Sequence, residues 1–173
     1  MKPTQKLVLS AMFLALGLVL PFFTGQLPQL GNFFLPMHFT IFLATYICGW
    51  QCGAVIGFIL PLLRSFMFGA PIIYPNAIAM SVELLSYGLI AGLIYKAIKF
   101  KKFSVYASMI IAMIGGRIIW GFMQMLLLGI KTEVFTFNMF ITAAFLNAIP
   151  GIIIQLLLIP PIVLLIKRKF NYE

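Results

Sequence analysis

Long apolar stretches, broken by short clusters of Gly, Pro and charge, run through the chain from its seventh residue onward. A helix needs about 20 mostly apolar residues to cross the hydrocarbon of a bilayer. Six windows meet or approach that length, at about Leu7–Phe23, Pro36–Trp50, Gly53–Phe68, Asn76–Ile98, Phe103–Ile130 and Asn138–Ile166. The pattern predicts an all-α membrane protein, a six-transmembrane-helix bundle forming a single integral membrane domain over residues 1–173. The second and third windows are short, and Gly49-Trp50-Gln51-Cys52-Gly53 between them reads as a tight turn at one membrane face. The fifth and sixth are long enough to tilt, and Pro150, Pro160 and Pro161 predict a kink in the sixth. Met1–Phe23 has the basic start and apolar middle of a signal peptide, but no small-x-small cleavage site follows, so it reads as a retained first helix.

Composition agrees with the bilayer as solvent. Hydrophobic residues make up 63% of the chain and charged residues 9%, against about 45–50% and about 25% in soluble domains. The net charge of +9 is informative through its placement. Lys2 and Lys6 precede the first span; Lys96, Lys99, Lys101 and Lys102 lie between the fourth and fifth; Lys167, Arg168 and Lys169 follow the sixth. With six spans these all fall on one side, while the opposite loops (24–35, 69–75 and 131–137) hold only Lys131, with Glu133 close by. The positive-inside rule then predicts that both termini are cytoplasmic. The basic clusters are topology signals, and no nucleic-acid partner is expected.

Charges at membrane depth are expensive and mark candidate sites. Three remain inside spans: Arg64, Glu83 and Arg117. At the helical rise, Arg64 lies about 16 Å along the third span, Glu83 roughly 10 Å below the outer face, and Asn147 about 13 Å down the sixth span. Arg117 falls near the midplane, Gln124 in the outer part of the fifth span, and His38 at the outer start of the second. All sit in the outer half, and the inner half offers almost no polar side chain in need of a partner. That distribution predicts a cavity open outward and closed below by apolar packing, where a through-pore would need polar lining at both depths.

Two readings of the charges stay open. Arg64 and Glu83 can pair across adjacent helices and hold the bundle together. Alternatively, two arginines against one glutamate leave an excess positive charge for an anionic ligand, whose carboxylate or phosphate suits the planar guanidinium fork. The loop Gly69–Asn76, stiffened by two prolines, is placed to lie over the cavity mouth as a gate carrying Tyr74, with Asn76 as N-cap of the fourth span. Phe33, Phe34, Tyr74 and Trp120 fit either an interfacial aromatic belt or ligand lids. In the first span, Ala11-x-x-x-Ala15 puts small residues on one face, which lets another helix approach closely. Cys48 and Cys52 read as small apolar side chains, since a metal pair would have only His38 to add.

The chain has one His and three acidic residues, and no nucleophile or metalloprotease motif, so an enzyme is not expected. It also has no phosphate-binding loop. Energy for active transport has to come from a partner chain or an ion gradient, and Glu83 is the single carboxylate at depth for ion coupling.

Four segments carry a family resemblance: Leu35-Pro36-Met37-His38, Gly49-Trp50-Gln51-Cys52-Gly53, Pro61-Leu62-Leu63-Arg64-Ser65, and Tyr74-Pro75-Asn76-Ala77-Ile78-Ala79-Met80 leading into Glu83. With six spans and Ala11-x-x-x-Ala15, the chain resembles the S component of an energy-coupling factor (ECF) transporter, in a vitamin-specific branch. The resemblance implies a multi-pass protein of a prokaryotic plasma membrane that captures a water-soluble vitamin in an outward pocket. It implies docking through Ala11 and Ala15 onto a transmembrane coupling subunit driven by two cytoplasmic ATPases, with delivery by toppling and no cofactor of its own. The charges favour an acidic small molecule, pantothenate first, with riboflavin, folate or a queuosine precursor open. The competing expectation is a stand-alone ion-coupled carrier or channel acting as an oligomer.

Overall fold

The computed structural model describes residues 2–23, 35–98, 101–130, 140–142 and 146–170, and all the regular structure among them is helical. The helices whose bounds lie among the described residues are α1 (Pro3–Phe23), α2 (Pro36–Cys48), α3 (Trp50–Phe68), α4 (Ile78–Ala97), α5 (Lys101–Ile130) and α6 (Ile149–Phe170). A π-helical turn, Ile73–Ala77, leads into α4 and a 3₁₀ turn, Leu146–Ala148, leads into α6. Five of the helices are long and apolar enough to cross a membrane. The exception is α2, whose 13 residues span only about 20 Å.

That short helix sits at the centre. Ten of its side chains are buried, and Ile41, Phe42 and Leu43 join Leu60 of α3, Leu84 of α4 and Met109 of α5 in one core. α4 packs most extensively against α3 and α5. Its approach to α3 depends on glycines at four-residue spacing on both helices. A Cβ at Gly88 would strike the backbone of Gly53 and Ala54, and one at Gly57 would strike the backbone of Leu84. Small residues at such spacing let backbones meet, which is how helices adhere where lipid is as apolar as leucine. α1 lies at the periphery with only Gly17 and Pro21 buried.

The structure changes several expected boundaries. The joint between α2 and α3 is one residue, Gly49, at φ 102° and ψ 162°, and the helix resumes at Trp50 where a five-residue turn was expected. Only glycine tolerates that backbone without strain, so a single residue reverses the chain. Asn76 does not cap α4: it lies inside the π turn, and the residue at the cap is Ala77. α6 starts at Ile149, so Pro150 falls in the first turn, where a missing N–H is harmless. The helix continues through Pro160 and Pro161.

Candidate functional site

Glu83 projects from α4 into the bundle, and three groups converge on its Oε1 atom. Tyr87, one turn further along α4, donates its hydroxyl at 2.8 Å. Arg117 of α5 places Nε at 3.4 Å, and His38 of α2 places Nε2 at 3.5 Å. All four side chains are buried. A carboxylate at this depth is tolerable only because a guanidinium and a phenol face it together. Tyr87 owes its position to local sequence: its ring rests where a Cβ on Gly116 would stand. It stacks on Phe42, 5.4 Å between centroids at 18°, and tilts against His38 at 5.3 Å.

A second rung lies two turns away. Gln124 of α5 donates Nε2 to Asn76 Oδ1 at 3.0 Å. Asn76 precedes Glu83 by seven residues and Gln124 follows Arg117 by seven, so antiparallel helices meet at two matched levels about 10.5 Å apart. Above that rung, the Tyr74 hydroxyl donates to the Leu127 carbonyl. The loop between α3 and α4 is tied back at its other end, where Ser65 Oγ donates to the Pro71 carbonyl. It contains cis peptide bonds at Ala70–Pro71 and Tyr74–Pro75.

Gln155 of α6 is a part of the site that sequence reasoning missed. Its Nε2 donates at 3.2 Å to the carbonyl of Leu35, the same oxygen that accepts the His38 backbone N–H at 3.1 Å. Leu35 holds a left-handed conformation (φ 49°) unusual for a residue with a Cβ, so α6 fixes the entry into the helix that carries His38. The available signal was a lone amide in an otherwise apolar stretch, the same signal that singled out Gln124. Tyr87 was legible as the i+4 neighbour of Glu83.

Arg64 is elsewhere. Its Nη1 donates to the Leu18 carbonyl of α1 at 2.8 Å, and its guanidinium carbon stands 5.3 Å and 5.6 Å from the ring centroids of Phe22 and Phe68. The Arg64–Glu83 pair, one of the two readings left open, is not formed: Glu83 pairs with Arg117, and Arg64 fastens α1 to α3. Two arginines therefore do not oppose one glutamate at the same place.

The end of the bundle away from Asn76, expected to be nearly bare of polar side chains, carries several: Tyr46 meets Ser108 Oγ at 2.8 Å, Lys167 Nζ donates to the Tyr95 hydroxyl at 2.7 Å, and Tyr46 and Tyr95 pack edge-on at 5.3 Å. These groups satisfy one another. Ala11 and Ala15 are exposed on the outer side of α1. Asn147 lies in the 3₁₀ turn before α6, and its side chain is outside the described residues, as are Phe33, Phe34, Lys131 and Glu133. Cys48 is buried and Cys52 half-buried, both as free thiols.

The site thus combines a paired carboxylate and guanidinium, an imidazole, a phenol and three amides beside packed aromatic rings, a set suited to hydrogen-bonded recognition of a small polar molecule. The family model described as ECF transporter, substrate-specific component, matches residues 5–163 of the chain. No curated protein and no solved structure matches it.

Proposed function

Since the chain belongs to the family of ECF transporter substrate-specific components, we propose that it captures a water-soluble micronutrient at the Glu83–Arg117–His38 site and passes it to an importer. The observation that carries this reading is the convergence of Tyr87, Arg117 and His38 on one buried carboxylate oxygen, beside further amides at Gln124 and Gln155. Orientation supports it: with the basic ends cytoplasmic, the Asn76–Gln124 rung faces outward and the Lys167–Tyr95 contact inward. The energy would come from a transmembrane coupling subunit and two cytoplasmic ATPases. The exposed Ala11 and Ala15 form the docking stripe, and toppling of the docked body would open the pocket inward. The loop from Gly69 to Asn76, tied to α5 through Tyr74, would act as the outer gate.

The acidic-ligand preference loses its footing with Arg64 engaged at Leu18, so any water-soluble vitamin or related micronutrient enters the test. Pantothenate is the acidic arm of that panel. A stand-alone ion-coupled carrier is less well supported, because the one carboxylate at depth is already held by three side chains. Purified protein, without ATP, is expected to bind one such compound at a 1:1 ratio by calorimetry. Uptake by cells should require co-expressed coupling and ATPase subunits. Transport by the lone chain in liposomes would overturn the assignment.

A further inference from the structure

Resting on the reading of the chain as a micronutrient-binding subunit, we infer that the ligand carries no net charge, and that it is recognised by N–H or O–H groups directed at Gln155 and Gln124. The first argument is charge. Glu83 and Arg117 face each other and cancel. Arg64 is held by Leu18, Phe22 and Phe68. Among the described residues no further cation or carboxylate faces this cluster. A ligand with an ionised group would enter as an unpaired charge or would have to break the Glu83–Arg117 pair, and an unpaired charge in a site this buried is strongly disfavoured.

The second argument is independent of charge. Oε1 of Gln124, Oε1 of Gln155 and Nδ1 of His38 are buried and meet no hydrogen-bond partner among the described residues, while Nε2 of His38 and Nε of Arg117 face Glu83 Oε1. Gln155, His38 and Gln124 are 1%, 2% and 4% exposed. Each amide already uses its nitrogen, Gln155 on Leu35 and Gln124 on Asn76. That fixes which amide atom is left over, and in both cases it is the acceptor. Two spare amide oxygens call for donors on the ligand, and with Nε2 turned to Glu83 a neutral imidazole adds a further acceptor at Nδ1. Amides, lactams and hydroxylated nitrogen heterocycles present N–H and O–H donors without an ionised group. A carboxylate or phosphate presents acceptors alone and leaves both glutamine oxygens unmet.

The test uses the purified full chain in lipid nanodiscs and matched pairs that differ in one ionised group: nicotinamide against nicotinate, panthenol against pantothenate, and riboflavin against flavin mononucleotide. Thermal shift identifies the pair that binds, and calorimetry measures both members. The neutral member is expected to bind at least tenfold more tightly, with affinity changed less than twofold between 50 and 500 mM NaCl. Gln155→Met and Gln124→Met are each expected to weaken it by about tenfold, and the salt series on the unaltered protein stands even where a variant fails to fold. Tighter binding of the anionic member overturns the inference and leaves the subunit reading intact. Neutral binding indifferent to both glutamine variants also overturns it. No binding by any member, together with no subunit-dependent uptake of these compounds, overturns both.

Discussion

Removing the charge from Glu83 tests whether the carboxylate is bound into its surroundings as tightly as the geometry implies. In Glu83→Gln the amide oxygen can still accept from Tyr87, so the 2.8 Å hydrogen bond is preserved in kind. Arg117 loses its partner at 3.4 Å while staying buried. Breaking one side of a buried pair costs about 3–5 kcal/mol, far above the value of about 0.6 kcal/mol typical of a hydrogen bond between membrane helices. The unpaired guanidinium therefore decides the outcome, and about 3 kcal/mol is expected. For a chain of this size each kcal/mol lowers the melting temperature by about 2–4 °C, giving a drop of about 6–12 °C. Arg117→Met should lose a similar amount, because it strands the carboxylate instead. The double variant removes both charges and should be no less stable than either single one, a coupling of about 3 kcal/mol. Thermal unfolding of the four proteins in one detergent closes the cycle. Additive losses, with the double variant about 6 kcal/mol down, would refute the pairing, as would a single variant melting within about 2 °C of the parent.

Arg64→Met should leave affinity for the bound micronutrient within about twofold, whereas Arg117→Met lowers it more than tenfold, about 1.4 kcal/mol; calorimetry on both distinguishes the α1 fastener from the site. Gly88→Val should abolish a monodisperse preparation, since the new side chain meets the backbone of Gly53 and Ala54; size-exclusion chromatography reads the result, and a folded variant would show that α3 and α4 can part there. Ala11→Trp and Ala15→Trp lie on an exposed face and should leave melting and binding unchanged while blocking uptake by the assembled transporter. Lost ligand binding would instead make that face part of the folded body. Tyr46→Phe should cost about 1 kcal/mol through the lost Ser108 contact, measurable as a melting shift without any change in ligand affinity.

The helices were legible in the sequence because hydrocarbon imposes their length, and the cost of a charge at depth singled out the polar residues to follow. Direction around each helix was not. In a segment apolar on all sides no amphipathic stripe marks the inward face, so Arg64 and Arg117, both at depth, looked equivalent. Only the packing sends Arg64 toward Leu18 and Arg117 toward Glu83. A usable signal did exist in spacing: Asn76 and Glu83 are seven apart, as are Arg117 and Gln124, which places each pair on one helix face. The paired glycines of α3 and α4 were legible in the same way, at Gly53 and Gly57 and at Gly88 and Gly92. The joint at Gly49 was legible as a tight turn but not in its length, because two glycines in five residues mark the place while the chain needs one positive φ and no more. Gln155 was visible as a polar residue at depth, but its acceptor, Leu35, belongs to a segment far away in sequence.

The equal spacing of the two rungs has a mechanical consequence. Sliding α4 along α5 by a single turn would carry Glu83 and Asn76 away from Arg117 and Gln124 at the same moment. Glu83 would keep the Tyr87 hydroxyl, which travels on the same helix, but the carboxylate and the guanidinium would lose each other while still buried. The seam therefore acts as a tooth that resists sliding, and α4 and α5 move as one piece. Whatever opens to admit a ligand has to move outside that seam, as the loop from Gly69 or the peripheral α1 would, while the tooth keeps Glu83 in register.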